Sequence, residues 1–63
     1  MDLIWLNQND QESRDVLEEQ NIMHDSQGYV NIGGMYLEQI EIIEPTEEQI
    51  EIIRSLCIQH NFN

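Results

Sequence analysis

The sequence predicts one small α+β domain: element order β-α-β-β-α, a two- or three-stranded sheet with a Gly-Gly hairpin, and two helices packed on one face. Three observations predict it. Two segments open on helix-capping patterns. The runs between them are continuously apolar or alternate, as strands do. Gly33-Gly34 sits between two alternating runs, where a tight two-residue turn belongs. At 63 residues the chain reads as a single domain, residues 1–63, with no repeat, linker or low-complexity tract.

Leu3-Ile4-Trp5-Leu6 is an apolar run closed by polar Asn7-Gln8-Asn9-Asp10, the mark of a short strand covered on both faces. Asn9 is placed to cap a helix, with Glu12 three residues on, and the helix should run from about Asp10 to Gln20. Its apolar face is thin, Val16 and Leu17, with Ile22 and Met23 closing over the end. His24-Asp25-Ser26-Gln27-Gly28 is a turn by composition.

Tyr29-Val30-Asn31-Ile32 then leads through Gly33-Gly34 into Met35-Tyr36-Leu37. A two-residue loop pairs Ile32 with Met35 and Val30 with Leu37, which share one face, while Asn31 and Tyr36 take the other. Strict alternation beyond Leu37 would turn Gln39 and Glu41 inward and Ile40 and Ile42 outward. One extra residue reverses this, so a β-bulge or a break is expected near Glu38-Gln39. If the first strand pairs in parallel with the second, the crossover is right-handed.

Pro45 ends the strand, and Thr46-Glu47-Glu48-Gln49 is a second capping box, with acidic residues in the positive first turn. This helix should span about Glu47 to His60, with Ile50, Ile53, Leu56 and Cys57 as its stripe and Ile52 on the flank.

The balance of charge excludes whole classes of function. Thirteen Asp and Glu stand against two Arg and no Lys, a formal charge of -11. Direct phosphate binding needs a basic stripe, which Arg14 and Arg54 cannot make. An anionic membrane surface repels such a chain. Apolar residues nonetheless make up 40%, ten of them Ile, enough for a small core and too many for an acidic disordered tail. The single Cys57 suits a reducing cytoplasm better than a disulfide-stapled secreted domain. Met1 to Leu6 lacks the basic start and apolar length of a signal peptide, and no run approaches a membrane span.

No motif for catalysis or cofactor binding stands out, and no enzyme activity, cofactor or metal is expected. Ser13, Ser26 and Ser55 sit in no nucleophile elbow, and Gly33-Gly34 precedes neither a Lys nor a helix. Cys57 and His60 have the spacing of half a zinc site, but no second pair completes it. A core-facing Cys and a His at a helix C-terminus account for them more simply.

The carboxylates are the distinctive feature. Glu38, Glu41, Glu44, Glu47, Glu48 and Glu51 follow one another with no basic residue between, and Asp15, Glu18 and Glu19 form a second row. Neighbours one helical turn apart are about 5–6 Å apart at Cβ, a spacing like that of phosphates along a nucleic-acid strand. The plainer reading is a solvated face that keeps a small protein soluble. Against it stands magnitude: small soluble domains do well with a net charge of about 2–8. In a chain with a radius of gyration of about 10–11 Å, eleven uncompensated charges repel one another within roughly a Debye length.

These features point to a small acidic inhibitor that binds the basic nucleic-acid groove of a protein partner, with Tyr36 as an added interface anchor beside Asn31. In size, charge and simplicity the chain resembles the small DNA-mimic and anti-defence proteins of bacteriophages (anti-restriction and anti-CRISPR among them), a likeness of composition that no motif carries. The alternative is an interaction module, a homodimer or antitoxin-like neutraliser. It would bind through the edge of the Tyr29–Ile43 hairpin or an apolar surface, with the charge serving solubility.

Overall fold

The computed structural model describes residues 1–63. In chain order the elements are β1 (Asp2–Asn7), α1 (Gln11–Glu19), β2 (His24–Ile32), β3 (Met35–Ile42), α2 (Glu47–Arg54) and β4 (Gln59–Asn61). The strands form one four-stranded sheet in the order β2-β3-β1-β4, antiparallel throughout. β1 and β2 run in the same direction with β3 between them, and β3 and β4 likewise flank β1. Two split β-α-β units are thus interleaved, the ferredoxin-like plan.

Four sequence expectations are corrected here. The order is β-α-β-β-α-β and the sheet has four strands, not two or three. β1 pairs with β3 and not in parallel with the strand that follows α1. His24 to Gly28 is not a turn but the first half of β2, which pairs His24, Asp25 and Ser26 with Ile42, Glu41 and Ile40. The second helix stops at Arg54 instead of His60, and Gln59–Asn61 becomes β4 against the free side of β1.

β3 is unbroken from Met35 to Ile42, so the bulge lies elsewhere. Between Ser26 and Tyr29, β2 advances three residues while β3 advances two. The extra residue is therefore in the partner strand, at Gln27-Gly28, where Gly28 has φ 92°. At the other end of the pair, Gly33 and Gly34 link Ile32 to Met35 with φ 57° and 84°, the positive values that a primed two-residue turn demands.

Alternation along β1 and β3 sends Ile4, Leu6, Ile40 and Ile42 to one face of the sheet. There they join Leu17 and Ile22 from the α1 segment and Ile53 from α2 in a single core, with Ile58 and Phe62 packed at its margin. Both helices therefore cover the same face, and the radius of gyration is 10.9 Å.

Each helix is closed by local chemistry. Asp10, not Asn9, caps α1: its carboxylate accepts from Ser13 N–H at 3.0 Å and Ser13 Oγ at 2.7 Å. α1 ends in a Schellman arrangement, with Ile22 N–H donating to the Leu17 carbonyl, Asn21 N–H to that of Glu18, and Asn21 at φ 54°. The apolar pair that accompanies such an ending, Leu17 and Ile22, belongs to the core. α2 begins with a complete capping box between Thr46 and Gln49.

Candidate functional site

The acidic residues fall into three environments. The outer surface of the helical layer carries most of them. With Ser13 and Leu17 buried, the opposite side of α1 presents Glu12, Asp15 and Glu19, with Glu18 exposed beside them. On α2, Ile53 points to the core and Glu47, Glu48 and Glu51 are exposed. Gln49 Nε2 donates to the Asn21 carbonyl at 3.5 Å, so the start of α2 lies beside the end of α1. The two helices consequently present one acidic layer. Asp15 accepts from Gln11 Nε2 at 3.0 Å, and Glu51 meets Arg54 at 3.4 Å in an exposed pair that contributes little. Glu44, exposed in the β3–α2 connection at φ 43°, extends this layer.

Glu38 and Glu41 do not share that surface. Three residues apart on a strand, they face opposite sides of the sheet. Glu41 lies on the side without helices, half-buried, and accepts from Gln27 Nε2 at 3.3 Å. Glu38 points toward α1, where Arg14 Nη2 and Ser26 Oγ each donate to it at 2.7 Å. Arg14 is held from behind, its Nη1 donating to the carbonyls of Asn7 and Asp10 at 2.9 Å. The hydrogen bonds from Arg14 and then Ser26 outweigh desolvation and hold the Glu38 carboxyl below the usual carboxylate range.

This triangle lines a cleft of about 330 Å³ between α1 and β2, together with Gln11, Glu18, His24 and Asp25. His24 Nδ1 lies 2.8 Å from the Ile22 carbonyl and donates to it. Ser26 donates to Glu38, and no histidine approaches it as a base. The cleft thus holds the polar groups that tie α1 to β2 and β3.

One effect of the triangle bears on the outer layer. Of two cations in the chain, Arg14 is turned inward onto Glu38, and Arg54 sits at the β4 margin with its guanidinium carbon 5.8 Å from the centre of the Phe62 ring. The acidic layer therefore keeps one counter-charge of its own, Arg54, in an exposed pair with Glu51.

Tyr36 is 57% exposed and stacks on Tyr29, ring centres 5.3 Å apart and 10° from parallel. Both lie on the helix-bearing side of the sheet, at the hairpin end beyond the helices. Cys57 is exposed and His60 lies on β4, so they no longer share a helix as the sequence suggested. No cluster of three metal-ligating side chains occurs in the fold, and no helix is long and apolar enough to cross a membrane.

A second surface was read only in part from the sequence, which put Val30, Ile32, Met35 and Leu37 on one face of the hairpin but did not join Leu3 and Trp5 to them. The sheet face opposite the helices presents Leu3 and Trp5 from β1, Val30 and Ile32 from β2, and Met35 and Leu37 from β3. Trp5, in a run that reads as covered on both faces, is half-buried here, with its indole N–H donating to Gln39 Oε1 at 3.1 Å. The ladder continues past the strand ends, with Ile43 N–H donating to the Met23 carbonyl, so Met23 and Ile43 fall on this face too. The signal that could have found it is the odd-numbered apolar set 1, 3 and 5 of the first strand, out of phase with the core pair Ile4 and Leu6.

No protein-family model, curated protein or solved structure matches this chain.

Proposed function

We propose that this protein is a small acidic inhibitor that occupies the basic nucleic-acid-binding surface of a protein partner and excludes nucleic acid from it, in the manner of the phage DNA mimics its composition resembles. The observation that carries the reading is the acidic helical layer, Glu12, Asp15 and Glu19 beside Glu47, Glu48 and Glu51, together with the withdrawal of Arg14 onto Glu38. Carboxylates on rigid helices offer a pre-organised negative surface, which steers a basic partner and needs little ordering on contact. Glu44 and Glu18 border that surface. Glu38 and Glu41 stand outside it, one neutralised by Arg14 and one on the other side of the sheet, so the binding row is shorter than the sequence suggests. Tyr29 and Tyr36 form an aromatic pair at the far end of the hairpin, suited to anchor the rim of such a contact.

The test is capture at low salt on the immobilised chain, elution with a salt gradient, and challenge with duplex DNA. Under the proposal a captured protein is released by moderate salt and displaced by the DNA, and it fails to bind the Glu47→Gln/Glu48→Gln/Glu51→Gln variant. A partner held at high salt, indifferent to DNA and to the triple change, refutes it.

A further inference from the structure

The helix-free face of the sheet has an occupant that the rest of the molecule implies. Four of the six large apolar side chains left exposed, Met1, Met23, Ile32 and Met35, lie on it, at 68%, 67%, 39% and 51% exposure. All three methionines of the chain are among them, and Met is the side chain that best adapts to an apolar counter-surface. Trp5 and Leu37 lie at the middle of the face. Leu37 is only 4% exposed although it lies outside the core cluster.

We propose that this face packs against the same face of a second copy, making a two-fold dimer with its sheets face to face and its helical layers outermost. Three arguments favour a second copy. The first is the core: only nine of 63 residues are buried, and a domain of this size is marginal alone. A shared second apolar layer remedies that. The second is area. Strands of six, nine, eight and three residues, about 4.8 Å apart with about 3.3 Å per residue, project to roughly 400 Å². Side chains standing off that plane raise the accessible area toward the roughly 800 Å² per partner of a standard interface.

The third is charge. The face carries two carboxylates, Asp25 and Glu41, and no cation, and these two are paired in register toward the Met23 end. An interface centred on Trp5, Ile32 and Met35 leaves them at its rim. Packed sheets lie about 10 Å apart and each helix adds about 10 Å, so the two acidic layers would stand on the order of 30 Å apart. That is nearly four Debye lengths at physiological salt, enough to screen their repulsion. A contact through the helical layer would instead bring the acidic rows close together.

Sedimentation equilibrium on the full chain tests this, from about 1 µM to 1 mM, since dimerisation follows mass action. The expected result is a mass rising from 7.5 kDa to twice that, with the emission of Trp5 shifting to the blue in step. Added salt should strengthen the dimer, whereas it weakens the complex with a basic partner, so the two readings fail separately. Ile32→Glu/Met35→Glu, at exposed positions, should leave the circular dichroism unchanged and weaken association by roughly a hundredfold, because buried carboxylates would have no partner. A mass that stays at 7.5 kDa at the highest concentration overturns the proposal. So does a dimer that the double variant leaves intact, since its contact must then run through another surface.

Discussion

Replacing Glu38 by Gln tests how the helical layer is tied to the hairpin. Glu38 on β3 receives Arg14 from α1 and Ser26 from β2, each at 2.7 Å, with the Glu38 and Arg14 side chains 17% and 23% exposed. A hydrogen bond to a charged group contributes about 1.5–3 kcal/mol, whereas an exposed ion pair contributes about 0.2–1. This pair is partly shielded, and in the variant Arg14 keeps its two backbone carbonyls while the amide keeps an acceptor for Ser26. A loss of about 1–2 kcal/mol at pH 7 follows, which in a domain of this size lowers Tm by roughly 4–16 °C.

The pH dependence fixes the origin of the effect. The folded pKa of Glu38 lies below its ordinary value of 4.5, so the folded state binds this proton less readily than the unfolded chain. The stabilisation is therefore complete above the ordinary value and disappears as pH falls through the lower folded value. Protonation also relieves repulsion among the other carboxylates, which alters the stability of both proteins alike. The useful quantity is the difference between wild type and variant in urea unfolding, measured from pH 7 down to about pH 3. It should stay constant to about pH 5 and then shrink. A difference that is negligible at pH 7, or constant through the acid range, refutes the reasoning.

Four further outcomes follow from the fold. Thr46→Ala removes one half of the capping box, and urea unfolding should register a loss of about 1 kcal/mol. Gly28→Ala places a Cβ at φ 92° with no atom near enough to obstruct it, so the loss of about 1–2 kcal/mol expected in thermal melts is backbone strain alone. Ile53→Ala empties a fully buried core position and should lose about 2–5 kcal/mol, enough that far-UV circular dichroism reports a largely unfolded chain at 37 °C. The Glu47→Gln/Glu48→Gln/Glu51→Gln variant should melt no lower than wild type, because it relieves repulsion on α2, although it also removes favourable charge from that helix's first turn.

Local elements were legible where local chemistry dominates. Thr46 to Gln49 names a helix start because both hydrogen bonds of the box close within four residues. The polar stretch from His24 to Gly28 reads as a turn because nothing in it alternates; it is a strand only because β3 offers a free edge to pair with. β4 is similar. Cys57 continues the helical spacing of Ile50 and Ile53, but the chain leaves the helix at Ser55 and satisfies the outer edge of β1 instead. The bulge expected near Glu38-Gln39 rested on placing Leu37 with Ile40 and Ile42, but β3 alternates without a break and sends Leu37 to the opposite face, so the bulge at Gln27-Gly28 is a separate feature of the β2–β3 pair. A register shift belongs to a pair of strands, and one strand's sequence cannot say which of the two carries the extra residue.

For the candidate surfaces the division is the same. The sequence alone determined the sign and size of the charge, the scarcity of cations, the capping box of α2 and the presence of enough Ile for one core, since each depends on residue identity or on neighbours within one helical turn. Only the tertiary structure decided that Arg14 turns inward, that Glu38 and Glu41 part to opposite sides, and that the methionines share a face with Trp5. Those outcomes depend on which strands lie side by side, and strand pairing is settled by contacts between residues far apart along the chain.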